Sequence, residues 1–336
     1  MMEDPILVEV TRGERVESRH RGAFVVCDAQ GNMRACAGDV EQGVFPRSAV
    51  KALQALPLVE TGAAEAYGFG PAELALAQAS HGGEPAHVAL ARTMLERCGL
   101  TEAALLCGPQ WPSHEESMLH LAASGGVPSP LHNNCSGKHA GMLAVAVGCG
   151  FETAGYVEID HPVQRLVRDA LESVTGVAHA VERSGIDGCS LPTYSVPLRA
   201  LARGFARFGS GVDLAPERAA AAQALFAAAT EYPWHVAGTG RFCTLAMQAL
   251  GGRALVKTGA EGVFCAALPE FGLGVALKVD DGATRASEAV MAEILARLAP
   301  ECAASFEPWR PRELLNRRLI PTGHVNVIAD AFVGLS

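Results

Sequence analysis

A serine three residues ahead of a lysine, Ser48-Ala49-Val50-Lys51, stands where an extended segment passes through Pro46 into an amphipathic run. On a helix, residues i and i+3 share a face, so the Lys51 amine can reach the Ser48 hydroxyl. Serine is also a common helix N-cap. A capping box, however, takes Glu or Gln three residues on, and a cation in the first turn opposes the helix dipole. A lysine desolvated at that positive end has a lowered pKa and can take the proton of a nucleophilic hydroxyl. Ser80-His81-Gly82-Gly83 ends a helix expected over 71–79 and reads either as an ordinary helix stop or as a second polar site. Asn133-Asn134-Cys135-Ser136-Gly137-Lys138-His139 leads into an apolar helix expected over 140–147. A cysteine at a helix N-terminus beside cations is biased toward thiolate. Gly185-Ile186-Asp187-Gly188-Cys189-Ser190 brackets another loop cysteine, and two cysteines alone fall short of the three or four ligands zinc takes.

The lysines themselves are a signal. There are four, Lys51, Lys138, Lys257 and Lys278, against 23 arginines among the 27 basic residues. An ammonium can lose its proton on burial and act as a base, whereas a guanidinium cannot. A lysine that persists against such a bias is held by function or by chance. Lys257-Thr258-Gly259 closes an expected strand, and Lys278 in the strand expected over 272–279 has no evident chemical role.

The elements that must position these groups follow from periodicity. Strands are expected at 6–10, 23–27 and 32–37 around the turn Asp28-Ala29-Gln30-Gly31. Helical spacing then dominates to about Leu250, over 48–59, 86–98, 161–174, 198–208 and 217–229, with Asp160 and Pro162 starting the third of these. Strands return at 253–258, 263–268 and 272–279, then a helix over 285–298 and a strand at 325–328. This pattern predicts an α+β fold whose sheet is built from both chain termini, 1–45 and 236–336. A mainly helical part, 46–235, is inserted, and the whole forms one unit.

Composition narrows the function classes. A chain of 336 residues with 49% hydrophobic and 19% charged residues is that of a folded globular protein. A net charge of -9 argues against a nucleic-acid partner. The longest apolar stretch, 141–151, is shorter than the roughly 18 residues a membrane helix requires. The acidic start Met-Met-Glu-Asp-Pro is unlike a signal peptide, and ten scattered cysteines read as reduced thiols, so a cytoplasmic location is expected.

Ser-x-x-Lys at a helix start with a distant Lys-Thr-Gly is similar to the pattern of penicillin-recognising serine hydrolases, although their intermediate Ser-x-Asn signature is not found. Five segments taken together resemble the rhizobial-type L-asparaginases, also called asparaginase II. They are 46–51, 80–83, 132–142, 185–189 and 257–262. The resemblance runs over essentially the whole chain in one order, and its Asn-Asn-Cys-Ser-Gly-Lys-His segment is the most specific part. It implies a serine β-lactamase/glutaminase-like fold, a homodimer, and hydrolysis of L-asparagine to L-aspartate and ammonia. It also implies two Ser-Lys tandems, Ser48 with Lys51 and Ser80 with Lys257, and a zinc held by Cys135, Lys138 and Cys189, the lysine being neutral when bound.

The expected chemistry is attack by Ser48 on the side-chain amide with Lys51 as base, a β-aspartyl ester, and its hydrolysis. Ser80 and Lys257 would relay protons to the leaving amine, and N–H groups near the Ser48 turn would stabilise the oxyanion. For the substrate's α-carboxylate the candidates are Arg47 and His139, and for its α-ammonium Asp187. Rival readings are a glutaminase or penicillin-recognising hydrolase, and a catalytically silent amino-acid-binding protein.

Overall fold

Runs of β-branched and apolar residues from opposite ends of the chain meet in one sheet. Its strands in chain order are β1 (Ile6–Arg12), β2 (Arg15–Asp28), β3 (Met33–Ala37), β4 (Leu255–Gly259), β5 (Val263–Leu268), β6 (Leu273–Val279), β7 (Arg312–Leu315) and β8 (Pro321–Val327). The fold, a computed structural model, describes residues 3–335; Met1 and Met2 of the N-terminal segment, and Ser336, lie outside the described residues. The sheet order is β7-β8-β1-β2-β6-β5-β4, with β3 also paired to β2. Every one of these pairings is antiparallel. The long β2 joins two halves, pairing through its first residues with β1 and through 22–28 with β6.

One face of the sheet is shaped for close helix contact. A Cβ on Gly274 of β6 would lie 2.0 Å from the Ala202 carbonyl oxygen and 2.4 Å from the Ala206 nitrogen, so only glycine lets the helix Leu198–Ser210 lie there. On the opposite face Phe24 stacks on Phe332 with ring centroids 4.7 Å apart. Such a pair adds about 0.5–1.5 kcal/mol beyond its area burial. The helix Thr284–Leu298 also packs on the sheet, against β6, β8 and β1, and is buried almost all round. The apolar core runs without a break across the boundary expected at 45/46, from Leu7 and Phe24 to Leu53, Leu143 and Phe205.

The expected α+β plan and the contribution of both termini match the structure, with three local corrections. The helix expected over 48–59 is broken into a 3-10 turn at Arg47–Val50 and two short helices, Lys51–Gln54 and Leu56–Glu60. Pro57 separates the two short helices, because it has no N–H to donate and its ring crowds the carbonyl four residues back. The strand expected at 325–328 is the second arm of a hairpin whose first arm, β7, carries mostly exposed residues and left no hydrophobic signal. The front half of β2 is a third difference, since Arg15-Val16-Glu17-Ser18-Arg19 is exposed and charged and carries no apolar strand pattern. No helix among the described residues is long and apolar enough to cross a membrane. All ten cysteines are free thiols.

Candidate active site

Two glycines bring the reactive segments together. A Cβ on Gly259 would meet the Pro46 carbonyl oxygen at 2.5 Å and the Ala49 nitrogen at 3.1 Å, so the glycine of Lys-Thr-Gly lets β4 press against the Ser48 turn. A Cβ on Gly137 would meet the Leu76 carbonyl oxygen at 2.4 Å, so the helix Ser136–Gly148 can seat against the end of the helix Pro71–Ala77. Ser80 follows that end. Its N–H donates to the Val236 carbonyl at 2.8 Å, and the His81 N–H donates to the Asn134 carbonyl at 3.3 Å. The Gly83 N–H occupies His81 Nδ1 at 3.1 Å, so the ring carries its proton on Nε2 and donates it to Ser136 Oγ at 2.9 Å. Ser80-His81-Gly82-Gly83 is thus an ordered bridge between elements, not a plain helix stop.

Both lysines converge on Ser80. Lys51 Nζ lies 3.0 Å from Ser80 Oγ and also donates to the Ala79 carbonyl, while Lys257 Nζ lies 2.8 Å from the same Oγ and donates to the Thr258 carbonyl at 3.0 Å. Lys51 is wholly buried and Lys257 is 1% exposed. Burial, with the neighbouring Lys51 charge, brings Lys257 down to about 7. Burial also lowers Lys51, with Cys135 acting in the opposite direction. A hydroxyl flanked by two amines can hand its proton to whichever one is neutral, so this trio is built for proton transfer. Ser48 lies on the 3-10 turn and lines the same cavity as Ser80; its carbonyl accepts from the Lys51 backbone N–H, but no hydrogen bond joins its hydroxyl to the Lys51 amine among the described residues. Nor does Ser48 cap a helix, since the turn has no side-chain cap.

The cavity, about 220 Å³, is lined by Ser48, Ser80, Asn134, Arg241, Thr258 and Glu288 among others. Of these, Arg241 and Glu288 carried no signal in the sequence, since neither belongs to a motif and each is distant from the serines along the chain.

The residues expected to hold the substrate's charged groups do not line this cavity. Arg47 and Asp187 form an ion pair with each other, and Arg47 borders a neighbouring cleft with Phe45 and Ile186. Burial works against the Asp187 carboxylate, but Lys138 and Arg47 outweigh it and lower its pKa. The pair helps hold Arg47 at φ +52°, a left-handed conformation that costs a non-glycine residue about 1–3 kcal/mol, immediately before Ser48. His139 is fully buried, and burial keeps its pKa well below the ordinary value, so it is a neutral ring and no cation for a carboxylate. Its Nδ1 meets the Tyr156 hydroxyl at 2.5 Å.

Cys135, Lys138 and Cys189 do come together. Lys138 Nζ lies 3.3 Å from Cys189 Sγ, and all three residues are buried. A hydrogen bond from Cys189, aided by the Lys51 and Lys138 charges, overcomes burial and holds the Cys135 thiol well below its ordinary pKa. The same hydrogen bond, with burial, pushes Cys189 up. Burial opposes the Lys138 ammonium, but Cys189 and Cys135 outweigh it and raise its pKa. Among the described residues no three of His, Cys, Asp and Glu are grouped to hold a metal ion, so a ligand set here requires the Lys138 amine. Two sulfur donors and one nitrogen fit a tetrahedral zinc that keeps one position open.

A search of curated proteins returns no match. Among solved structures, Mglu in its native form is 16% identical, with a TM-score of 0.42 over 84% of this chain and 64% of that one. The chain therefore spans under two thirds of that protein's length. A β-lactamase from Mycobacterium bovis is 14% identical, with a TM-score of 0.40 over 84% of this chain and 95% of the other. The L-asparaginase II family profile matches residues 8–327, which takes in the Ser48 turn, the Ser80 bridge, both loop cysteines and the Lys257 strand. By that match, which leaves out only the chain ends, the protein belongs to the L-asparaginase II family.

Proposed function

We propose that this chain is an amidohydrolase that converts L-asparagine and water to L-aspartate and ammonia. The observation that carries the reading is the convergence of two buried lysine amines on Ser80 in a cavity shared with Ser48, in a chain of the L-asparaginase II family. Ser48 Oγ attacks the side-chain carbonyl carbon, and its proton passes to Lys51. Lys51 also touches Ser80, so the proton has a route through the Ser80 hydroxyl to the departing nitrogen, which leaves as ammonia. Water then attacks the β-aspartyl ester, its proton taken up by the same lysine and serine groups, and Ser48 is restored. Contact between Lys51 and Ser48 belongs to the substrate complex, where catalytic hydrogen bonds tighten. Ammonia release from L-asparagine, assayed beside L-glutamine and a chromogenic β-lactam, tests this. Turnover confined to asparagine is expected, and release only from glutamine or opening only of the lactam would replace the reading with one of its rivals.

Zinc is part of the same proposal. Cys135, Lys138 and Cys189 would hold it, and bound there it would supply a fixed positive charge. Elemental analysis of protein purified without chelator is expected to show zinc near one equivalent per chain, falling in Cys135→Ser and Cys189→Ser. A metal-free protein whose melting temperature ignores added zinc would return these residues to a thiol–amine cluster. The proposed homodimer predicts a particle of twice the 35.0 kDa chain mass in light scattering.

A further inference from the structure

We propose that Arg241 and Glu288 form the amino-acid subsite of the serine cavity, Arg241 binding the α-carboxylate and Glu288 the α-ammonium of a free amino-acid amide. This rests on the amidohydrolase reading above and names how its substrate is recognised. The two residues come from different elements, Arg241 at the start of the helix Phe242–Ala249 and Glu288 on the helix Thr284–Leu298, and both face the cavity that holds Ser48 and Ser80.

The Arg241 guanidinium is exposed and makes no hydrogen bond or close ion pair with any described residue. Only the Arg241 backbone carbonyl is engaged, by the Leu245 N–H at 3.1 Å, and the residue stands at a helix N-terminus, where a cation is opposed by the dipole. An anion bound at that spot relieves both conditions. The turn that carries Arg241 is fixed from the Ser80 side. Glu84 accepts from the Thr239 N–H at 2.9 Å and from the Thr239 hydroxyl at 2.7 Å, which ties the Gly238–Gly240 turn to the segment that follows Ser80.

Glu288 supplies the opposite charge. Its side chain is 19% exposed and its one ion pair, with Arg312, is 3.9 Å long, so the carboxylate retains acceptor capacity toward the cavity. Burial raises its pKa, with Arg312 and Arg241 acting against that rise. The other candidates for these tasks are engaged, Arg47 with Asp187 and His139 with the Tyr156 hydroxyl. A free α-amino acid carries its carboxylate and ammonium on one carbon, and a cavity with one unpartnered guanidinium and one weakly paired carboxylate matches that pattern.

Kinetics on three substrates test the subsite. Arg241→Gln is expected to raise KM for L-asparagine about 10- to 100-fold, the range for a lost hydrogen bond to a charged group, with kcat within a few-fold. Its effect should vanish on L-asparagine amide, which has no α-carboxylate, and persist on succinamate. Glu288→Gln should show the reverse, losing its effect on succinamate, which has no α-amino group. Arg241→Lys should recover part of the affinity. Equal losses on all three substrates, or none, would overturn the proposal. If the wild-type chain turns over no asparagine, the asparaginase reading fails and calorimetry with L-aspartate and L-glutamine decides the subsite separately. Binding that Arg241→Gln abolishes supports it, and absence of binding overturns it.

Discussion

Ser48→Ala is expected to lower kcat for asparagine hydrolysis by about a thousandfold or more, the scale on which losing a nucleophile or its base reduces an acyl-transfer enzyme. Ser48 is half-buried on a short turn without a capping role, so alanine leaves the fold intact and the loss is chemical. Lys51 requires a different substitution. It is wholly buried, and alanine would leave a cavity of the kind that costs about 2–5 kcal/mol, so Lys51→Met, which fills the space without a base, separates catalysis from stability. Rapid quenching and mass spectrometry should find an aspartyl ester on Ser48 in the wild type and none in Ser48→Ala. Because both lysines lie on Ser80, an ester mapped to Ser80 would reverse the roles of the two serines. Activity within tenfold of wild type in either variant, a difference of only about 1.4 kcal/mol, would remove that residue from the chemistry.

Lys257→Arg should fail almost as badly as Lys257→Met. With its pKa near 7, the Lys257 amine exchanges a proton at neutral pH, whereas a guanidinium with a pKa above about 12 stays charged. The sign follows from the role. The neutral amine accepts the proton, so activity rises with pH and is lost on acidification through about 7. The neutral fraction falls from about nine-tenths at pH 8 to about one-tenth at pH 6, a roughly tenfold drop. Lys51 shares Ser80 with Lys257, so the midpoint read from the pH–rate profile belongs to the pair. Arginine is also larger, and the profile removes that ambiguity. A Lys257→Arg enzyme of near-wild-type rate with an unchanged acidic limb would show that Lys257 acts only as a fixed charge.

Much of this protein is written locally. The continuous apolar runs of β5 and β6, buried on both faces, and the 3.6-residue spacing of the helix Leu198–Ser210 report their own burial, because an element's pattern records which of its faces meet the core. Lys51, Lys138 and Lys257, kept in a chain with 23 arginines, point to amine chemistry from the sequence alone. What tertiary structure alone decided is who meets whom. Spacing pairs Lys51 with Ser48, three residues away, and the packing of Gly137 on Leu76 brings Ser80, 29 residues on, to the same lysine. Arg47 and Asp187 read in the sequence as separate binding groups, and the fold joins them across 140 residues. Arg241 and Glu288 belong to no motif, and they share a cavity because β4 and the helices beside it close around it. Side-chain convergence over such separations follows from how complete elements pack, a property that no local window of the chain contains.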